Sequence, residues 1–232
     1  MKIAIMQPYF FPYIGYFQLI NAVDAFVIYD DVNYIKKGWI NRNNILVNNT
    51  SCLFSLPLQN ASQNKRINEI SVSELNRWKN DFLKTIRSCY KKAPFYNTVY
   101  PILERILNFE ESNLAIYIHY SIKQLCDYLK IDTQLITSSE IIKNNDLRGQ
   151  DKIIDICMRL HATEYVNAIG GLELYNKDQF DKNKINLHFI KSEKIIYKQF
   201  NAEFIPSLSV IDVIMFNSVE TTKEFLNKFE LV

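Results

Sequence analysis

Short apolar runs alternate with segments of helical period along this chain, which predicts an α/β protein built on a parallel sheet. Three observations carry that expectation. Residues 2–6 (Lys-Ile-Ala-Ile-Met) form an apolar run too short for a helix, halted by Gln7-Pro8. Residues 25–29 (Ala-Phe-Val-Ile-Tyr) repeat the pattern after one helix-length segment, the spacing of a right-handed βαβ unit. Similar runs return at 132–136, 164–168 and 186–190, so the second half completes the sheet begun by the first. The expected architecture is a single domain over 1–232: a Rossmann-like, nucleotidyltransferase-like sheet with a β-hairpin and a helical insertion over 72–131 that covers the cleft.

Each element follows from local chemistry. Pro8 and Pro12 fix φ and push their predecessors out of the α region, so the loop they bracket is stiff. A helix over 16–23 is entered through Gly15, and Asp30-Asp31 close the next strand. After a polar, cationic stretch to Gly38, residues 39–47 and 52–58 alternate around Asn48-Asn49-Thr50, a hairpin by pattern and turn chemistry. The period then changes to 3.6, giving helices over 73–90, 94–109 and 112–129. An amphipathic helix over 149–160 turns Ile153, Ile154, Cys157 and Leu160 inward. Helices over 209–217 and 221–229 close the fold, and no repeat, low-complexity tract or Gly/Ser linker divides it.

Composition excludes several function classes. Nearly half of the 232 residues are apolar, which rules out a disordered chain. A net charge of +2 with scattered basic residues does not make a general nucleic-acid surface. Cys52, Cys89, Cys126 and Cys157 show no metal-ligand spacing and read as reduced thiols of a cytoplasmic protein. No apolar run approaches the roughly 20 residues of a membrane span, and the expected protein is neither membrane-bound nor exported. No metal site is expected.

Four constellations could carry chemistry. In the first loop, Tyr9, Tyr13 and Tyr16 with their phenylalanine neighbours suggest a stacking floor for a ring-bearing ligand. Gly15 lets a ligand approach the helix start, and Gln7 and Gln18 could read a base or sugar through their amides. Tyr13-Ile14-Gly15-Tyr16 stands where nucleotidyltransferase-like proteins carry His-x-Gly-His, and tyrosines lack the histidines' available positive charge. Lys37, Trp39 and Arg42 are expected to grip a diphosphate and stack on it, provided a bend unites them. Arg148 and Lys152 flank a helix start, an expected anion seat. Gly170-Gly171, with Tyr175 following, allows close main-chain approach after a buried strand.

The run QPYFFPYIGYFQLI over 7–20 resembles the signature of the WbqC-like family, whose members accompany bacterial surface-polysaccharide genes. The likeness continues through Gly38-Trp39-Ile40-Asn41-Arg42-Asn43, Leu56-Pro57-Leu58 and Ala168-Ile169-Gly170-Gly171 with Tyr175. It ends in Phe204-Ile205-Pro206-Ser207-Leu208-Ser209-Val210-Ile211-Asp212. The resemblance implies a transferase that joins an amino acid, such as glycine, by an amide bond to the amino group of a nucleotide-linked amino sugar. A dTDP-4-amino-4,6-dideoxyhexose in O-antigen synthesis is one such acceptor. No tightly bound cofactor is expected; the amino acid would arrive activated, as an adenylate made from ATP or on a carrier, charged tRNA included. Asp30 or Asp31 would take the proton of the attacking amine. A sugar-nucleotide-binding scaffold without chemistry is the alternative.

Overall fold

The computed structural model describes residues 1–200 and 203–232. Its first half contains β1 (Lys2–Met6), α1 (Ile14–Asn21), β2 (Ala25–Ile28), the hairpin β3 (Arg42–Val47) and β4 (Thr50–Ser55), and the short pair β5 (Leu58–Gln59) and β6 (Ser71–Val72). Helices α2 (Asn76–Tyr90), α3 (Tyr96–Leu107) and α4 (Leu114–Leu129) follow. The second half runs β7 (Gln134–Thr137), α5 (Gly149–Arg159), β8 (Glu164–Ala168), α6 (Lys177–Lys182), β9 (Asn186–Ser192), α7 (Val210–Phe216), α8 (Val219–Leu226) and β10 (Phe229–Leu231).

Six strands form the central sheet in the order β10-β9-β8-β1-β2-β7. All neighbours pair in parallel except β9 with β10. Strand alternation separates two cores. Ile3, Ile5, Ala25, Val27 and Tyr165 face α5 and α6 through Ile153, Ile156, Cys157 and Phe180. Ala4, Phe26, Ile28 and Val166 face a larger core that holds α1, α4, α7 and the hairpin. Helices therefore cover both faces, as a parallel sheet requires.

Winding starts at β1, runs out through β2 to β7, and resumes at β8 on the other side of β1. Gln7, Asp30-Asp31, Ser138 and Ile169-Gly170-Gly171 thus leave the sheet at one carboxyl edge, the shared edge expected from the sequence.

Local boundaries differ from the sequence reading where capping decides them. Tyr13 is extended (φ −70°, ψ 166°) and stands as N-cap, so α1 begins at Ile14 and Gly15 lies inside it. Ser218 caps α8 by accepting from the Thr221 N–H, which starts that helix earlier and releases Phe229 into β10. The three-residue β10 and six-residue α6 are too short to show a period. Asn48 and Asn49 both adopt left-handed φ (49° and 59°), the two-residue turn that matches strand twist. The 72–131 block joins the larger core through all three of its helices, with Phe82 and Ile86 of α2, Leu103 and Ile106 of α3 and Ile118 and Ile122 of α4. α4 shares the larger core with Ala4, Phe26 and Ile28 and runs back to the sheet as the helix preceding β7, while its N-terminal turn reaches the carboxyl edge.

Candidate functional site

The loop after β1 is fixed from three sides. The Phe10 N–H donates to the Ile40 carbonyl (2.8 Å), and the Phe11 carbonyl accepts from Asn43 Nδ2 (2.8 Å) and Ser209 Oγ (2.7 Å). The Val210 N–H reaches the Pro12 carbonyl at 2.8 Å. These bonds hold Phe11 at φ 47°, a left-handed conformation that costs a non-glycine residue about 1–3 kcal/mol. Strain at that residue sets the direction of its neighbours. Phe10 and Phe11 turn wholly into the core, and the partly exposed Tyr9 and Tyr13 turn out.

Tyr9 and Tyr13 meet Trp39, Asn43 and Ser207 around a slot of about 220 Å³. Trp39 is 48 % exposed and Tyr13 43 %, so two aromatic faces stand open to a ligand. Burial raises both tyrosine pKa values, so each hydroxyl stays a donor at neutral pH. Tyr13 and Ser207 also border a hollow of about 580 Å³ that runs past Ile14 and Gly15 beneath residues 193–197 and 203–208. The Tyr13 ring lies over Gly15; a Cβ there would stand 2.3 Å from it.

Under this end of the molecule sits Asp212, the last residue of the closing motif and one that no local signal marks as functional. Its buried carboxylate accepts from Tyr90 Oη (2.9 Å), Tyr197 Oη (2.6 Å) and Gln199 Nε2 (2.8 Å). Burial, with only neutral donors to offset it, raises its pKa. The three bonds tie Tyr197, Gln199 and the end of α2 to the first turn of α7.

Several expected ligand contacts are structural instead. Tyr16 is buried against Phe17 and Phe26 and donates to the Gln7 carbonyl (2.9 Å), so Gln7 holds the loop through its main chain. Gln18 is fully buried, and its amide donates to the carbonyls of Phe225 (2.8 Å) and Lys228 (2.9 Å), where α8 ends. Residues 37–39 are a loop, with Lys37 at φ 59°, so strand alternation does not separate them from Arg42. Arg42 donates to the carbonyls of Gly38 (2.7 Å) and Lys37, and its guanidinium lies 5.7 Å from the Trp39 ring centroid. It braces the tryptophan rather than presenting a free fork. Lys37 accepts from Arg42 through its carbonyl, and the residue is exposed.

Lys152 is no open anion seat: it is buried and pairs with Asp31 at 3.0 Å, as Lys143 does from the other side, also at 3.0 Å. Burial pushes the Asp31 carboxyl up, yet the nearby Ser138 hydroxyl and the two lysines outweigh it and hold the pKa below the usual value. Asp31 Oδ2 is thereby occupied by two ammonium groups. Arg148 is the exposed, extended N-cap of α5. Gly170 is exposed, with open space where a Cβ would stand. Gly171 packs against Asn167 and Tyr175, and the Tyr175 hydroxyl bonds Asn167 Nδ2 (2.9 Å) and meets Tyr165 Oη (3.2 Å). The edge is shared, but the slot brings Tyr13 to Tyr9 and Trp39 and not to Gly170 or Tyr175.

Asp30 behaves differently from its neighbour. Its carboxylate accepts from the Ser139 N–H (2.9 Å), Ser139 Oγ (2.6 Å) and Asn68 Nδ2 (3.1 Å). It borders a second hollow of about 500 Å³, lined also by Asn113, His119, Thr137 and Glu140. No motif signals this hollow, because its residues come from four separate segments.

With this geometry in hand, the chain belongs to the WbqC-like protein family, whose model matches residues 7–224. It is 27 % identical over 228 residues to the uncharacterized protein Rv1507c of Mycobacterium tuberculosis, covering 97 % of each chain. No solved structure matches it. Among the described residues no helix is long and apolar enough to cross a membrane.

Proposed function

We propose that the protein is a cytoplasmic transferase of surface-glycan synthesis. It forms an amide bond between an amino acid and the amino group of a nucleotide-linked amino sugar, such as a dTDP-4-amino-4,6-dideoxyhexose. The observation that carries this reading is the rigid slot of Tyr9, Tyr13 and Trp39 at the carboxyl edge of the sheet, where two open aromatic faces suit a nucleobase. Two further features support it. The parallel strands, taken in chain order, have the 3-2-1-4-5 arrangement of Rossmann-like folds, in which ligands bind outside strand ends where the winding reverses. Membership of the WbqC-like family supports the resemblance on which the surface-glycan assignment rests.

The amide bond needs an activated carboxyl and a neutral amine. The donor is an aminoacyl adenylate formed from ATP, or an amino acid on a carrier such as charged tRNA. The sugar nucleotide places its base in the slot; its amine, after losing a proton, attacks the activated carbonyl, forming the amide C–N bond as the acyl–oxygen bond breaks and AMP or the free carrier leaves. Incubation with dTDP-amino sugars, amino acids and either ATP or charged tRNA is expected to add the mass of one amino-acid residue to the sugar nucleotide. Absence of product with every donor overturns the reading. A binding protein without chemistry is favoured by one observation: Asp30 already accepts three hydrogen bonds and Asp31 two ion pairs. Tight binding of an unchanged sugar nucleotide, undiminished in Asp30→Asn, would select it.

A further inference from the structure

The hollow at the ends of β2 and β7 has a chemistry distinct from the slot. Apart from His119 its lining carries no cationic side chain: it offers Asp30 and Glu140, the amides of Asn68 and Asn113, and the hydroxyls of Thr137 and Ser139. The α4 N-terminus that opens into it is closed to anions, because Asn113 Oδ1 accepts from the Ala115 (3.0 Å) and Ile116 (3.3 Å) N–H groups. A phosphate would meet two carboxylates and no free donor turn there. Asp30, 2 % exposed, uses three of about four acceptor positions and keeps one on Oδ1. The His119 imidazole meets Thr137 Oγ1 through Nδ1 at 3.4 Å, which leaves Nε2 for a ligand.

We propose that this hollow is a subsite for a primary amine on a small polyhydroxylated molecule, with Asp30 and Glu140 drawing in the ammonium and His119 Nε2 accepting one of its protons. The step balances simply: R–NH3+ and neutral imidazole give R–NH2 and imidazolium, which returns the proton to solvent. Burial, the largest influence on His119, lowers its pKa. Of the charged groups facing it, Glu140 and Asp30 oppose that shift and Lys123 adds to it, so the ring is neutral at pH 7. The identification of the bound amine as the acceptor in amide formation rests on the transferase reading. The subsite itself does not.

The test is a heteronuclear NMR titration of the full chain with glucosamine, N-acetylglucosamine, glucose and inorganic phosphate as probes. Glucosamine is expected to shift the Thr137 and Ser139 amides and the His119 ring, binding at least ten-fold tighter than glucose or N-acetylglucosamine, while the Tyr13 signals stay in place. Asp30→Asn should weaken glucosamine at least ten-fold. Because Asp30 also fixes Ser139, Ile116→Lys gives an independent check: Ile116 is 50 % exposed at the rim, and a cation there should repel the amine without touching the core. His119→Gln should retain binding but lose the dependence on pH that wild type shows below about 6.5, the ordinary imidazole value from which His119 is lowered. Equal binding of glucosamine and N-acetylglucosamine, preference for phosphate, or an Ile116→Lys variant with unchanged affinity would each overturn the subsite. These probes carry no nucleotide, so the result is independent of whether amide transfer is found.

Discussion

The two ends of the sheet's carboxyl edge are each anchored by a buried aspartate, and the anchors work in opposite ways. At the aromatic end, Asp212 is held by two tyrosine hydroxyls and a glutamine amide. At the polar end, Asp31 is clasped between Lys143 and Lys152. A carboxylate among neutral donors leaves its surroundings uncharged and its own proton easier to keep. One between two ammoniums is locked in its charged form and neutralises only one of them. The difference matches what lies beside each: open aromatic faces suited to a ring next to Asp212, and a carboxylate-lined hollow next to Asp31.

The sharpest way to break the comparison is to delete the anchor at the polar end. Asp31→Ala leaves two lysines buried without their partner, and removal of one member of a buried ion pair costs about 3–5 kcal/mol. Chemical denaturation should show a loss of that size. A loss below about 1 kcal/mol would mean that water or Ser138 already serves the lysines, and the two anchors would be alike.

A smaller effect, with a sign that separates the two, comes from pH. Asp212 has its folded-state pKa raised above the ordinary 3.8, so it binds its proton more readily folded than unfolded. Its contribution to stability is fully present below that ordinary value and is lost as pH rises through the folded one. Asp31 is lowered, so its contribution is present above 3.8 and is lost as pH falls through its folded value. The stability of wild type relative to Asp212→Asn should therefore grow as pH falls from about 7 to 4. Relative to Asp31→Asn, wild type should instead lose its advantage as pH drops below about 4. Parallel curves for the two variants would show that both carboxylates sit in the same electrostatic environment.

The two ends also differ in how legible they are. The aromatic end is written in one continuous run, where prolines, aromatics and Gly15 constrain each other locally, so its strand, loop and helix follow from the sequence. Even there, the division of aromatics into core and slot depends on the left-handed Phe11, which partners from β3 and the α7 cap impose. The polar end is assembled from residues as far apart as Asp30 and Ser139, 109 positions in sequence. Nothing local to His119, a half-buried residue within α4, marks it as part of a hollow. Lys152 misleads for the same reason: a lysine in a first helical turn reads as an anion seat until the fold brings Asp31 to it. Gln18 stands at the right place to read a ligand, and its burial against the end of α8 appears only once that helix is docked.

The smallest stability effects are expected at two glycines, and their ligand effects decide which end of the edge binds the nucleotide. Gly15 lies inside α1, where alanine is intrinsically better by up to about 1 kcal/mol. A Cβ at Gly15 would strike the Tyr13 ring at 2.3 Å, but that ring is the outer part of a flexible, 43 % exposed side chain and can swing aside. Gly15→Ala should therefore change stability by less than about 1 kcal/mol and still empty the slot of one wall. Binding of dTDP, followed by calorimetry, is expected to weaken at least five-fold. Gly170→Ala meets open space and should alter neither stability nor dTDP affinity. If Gly170→Ala weakens dTDP as much as Gly15→Ala does, the nucleotide lies against the end of β8. The slot of Tyr9, Tyr13 and Trp39 would then be an aromatic surface without a ligand, and the contrast between the two ends would have to be redrawn around the β1–β8 junction.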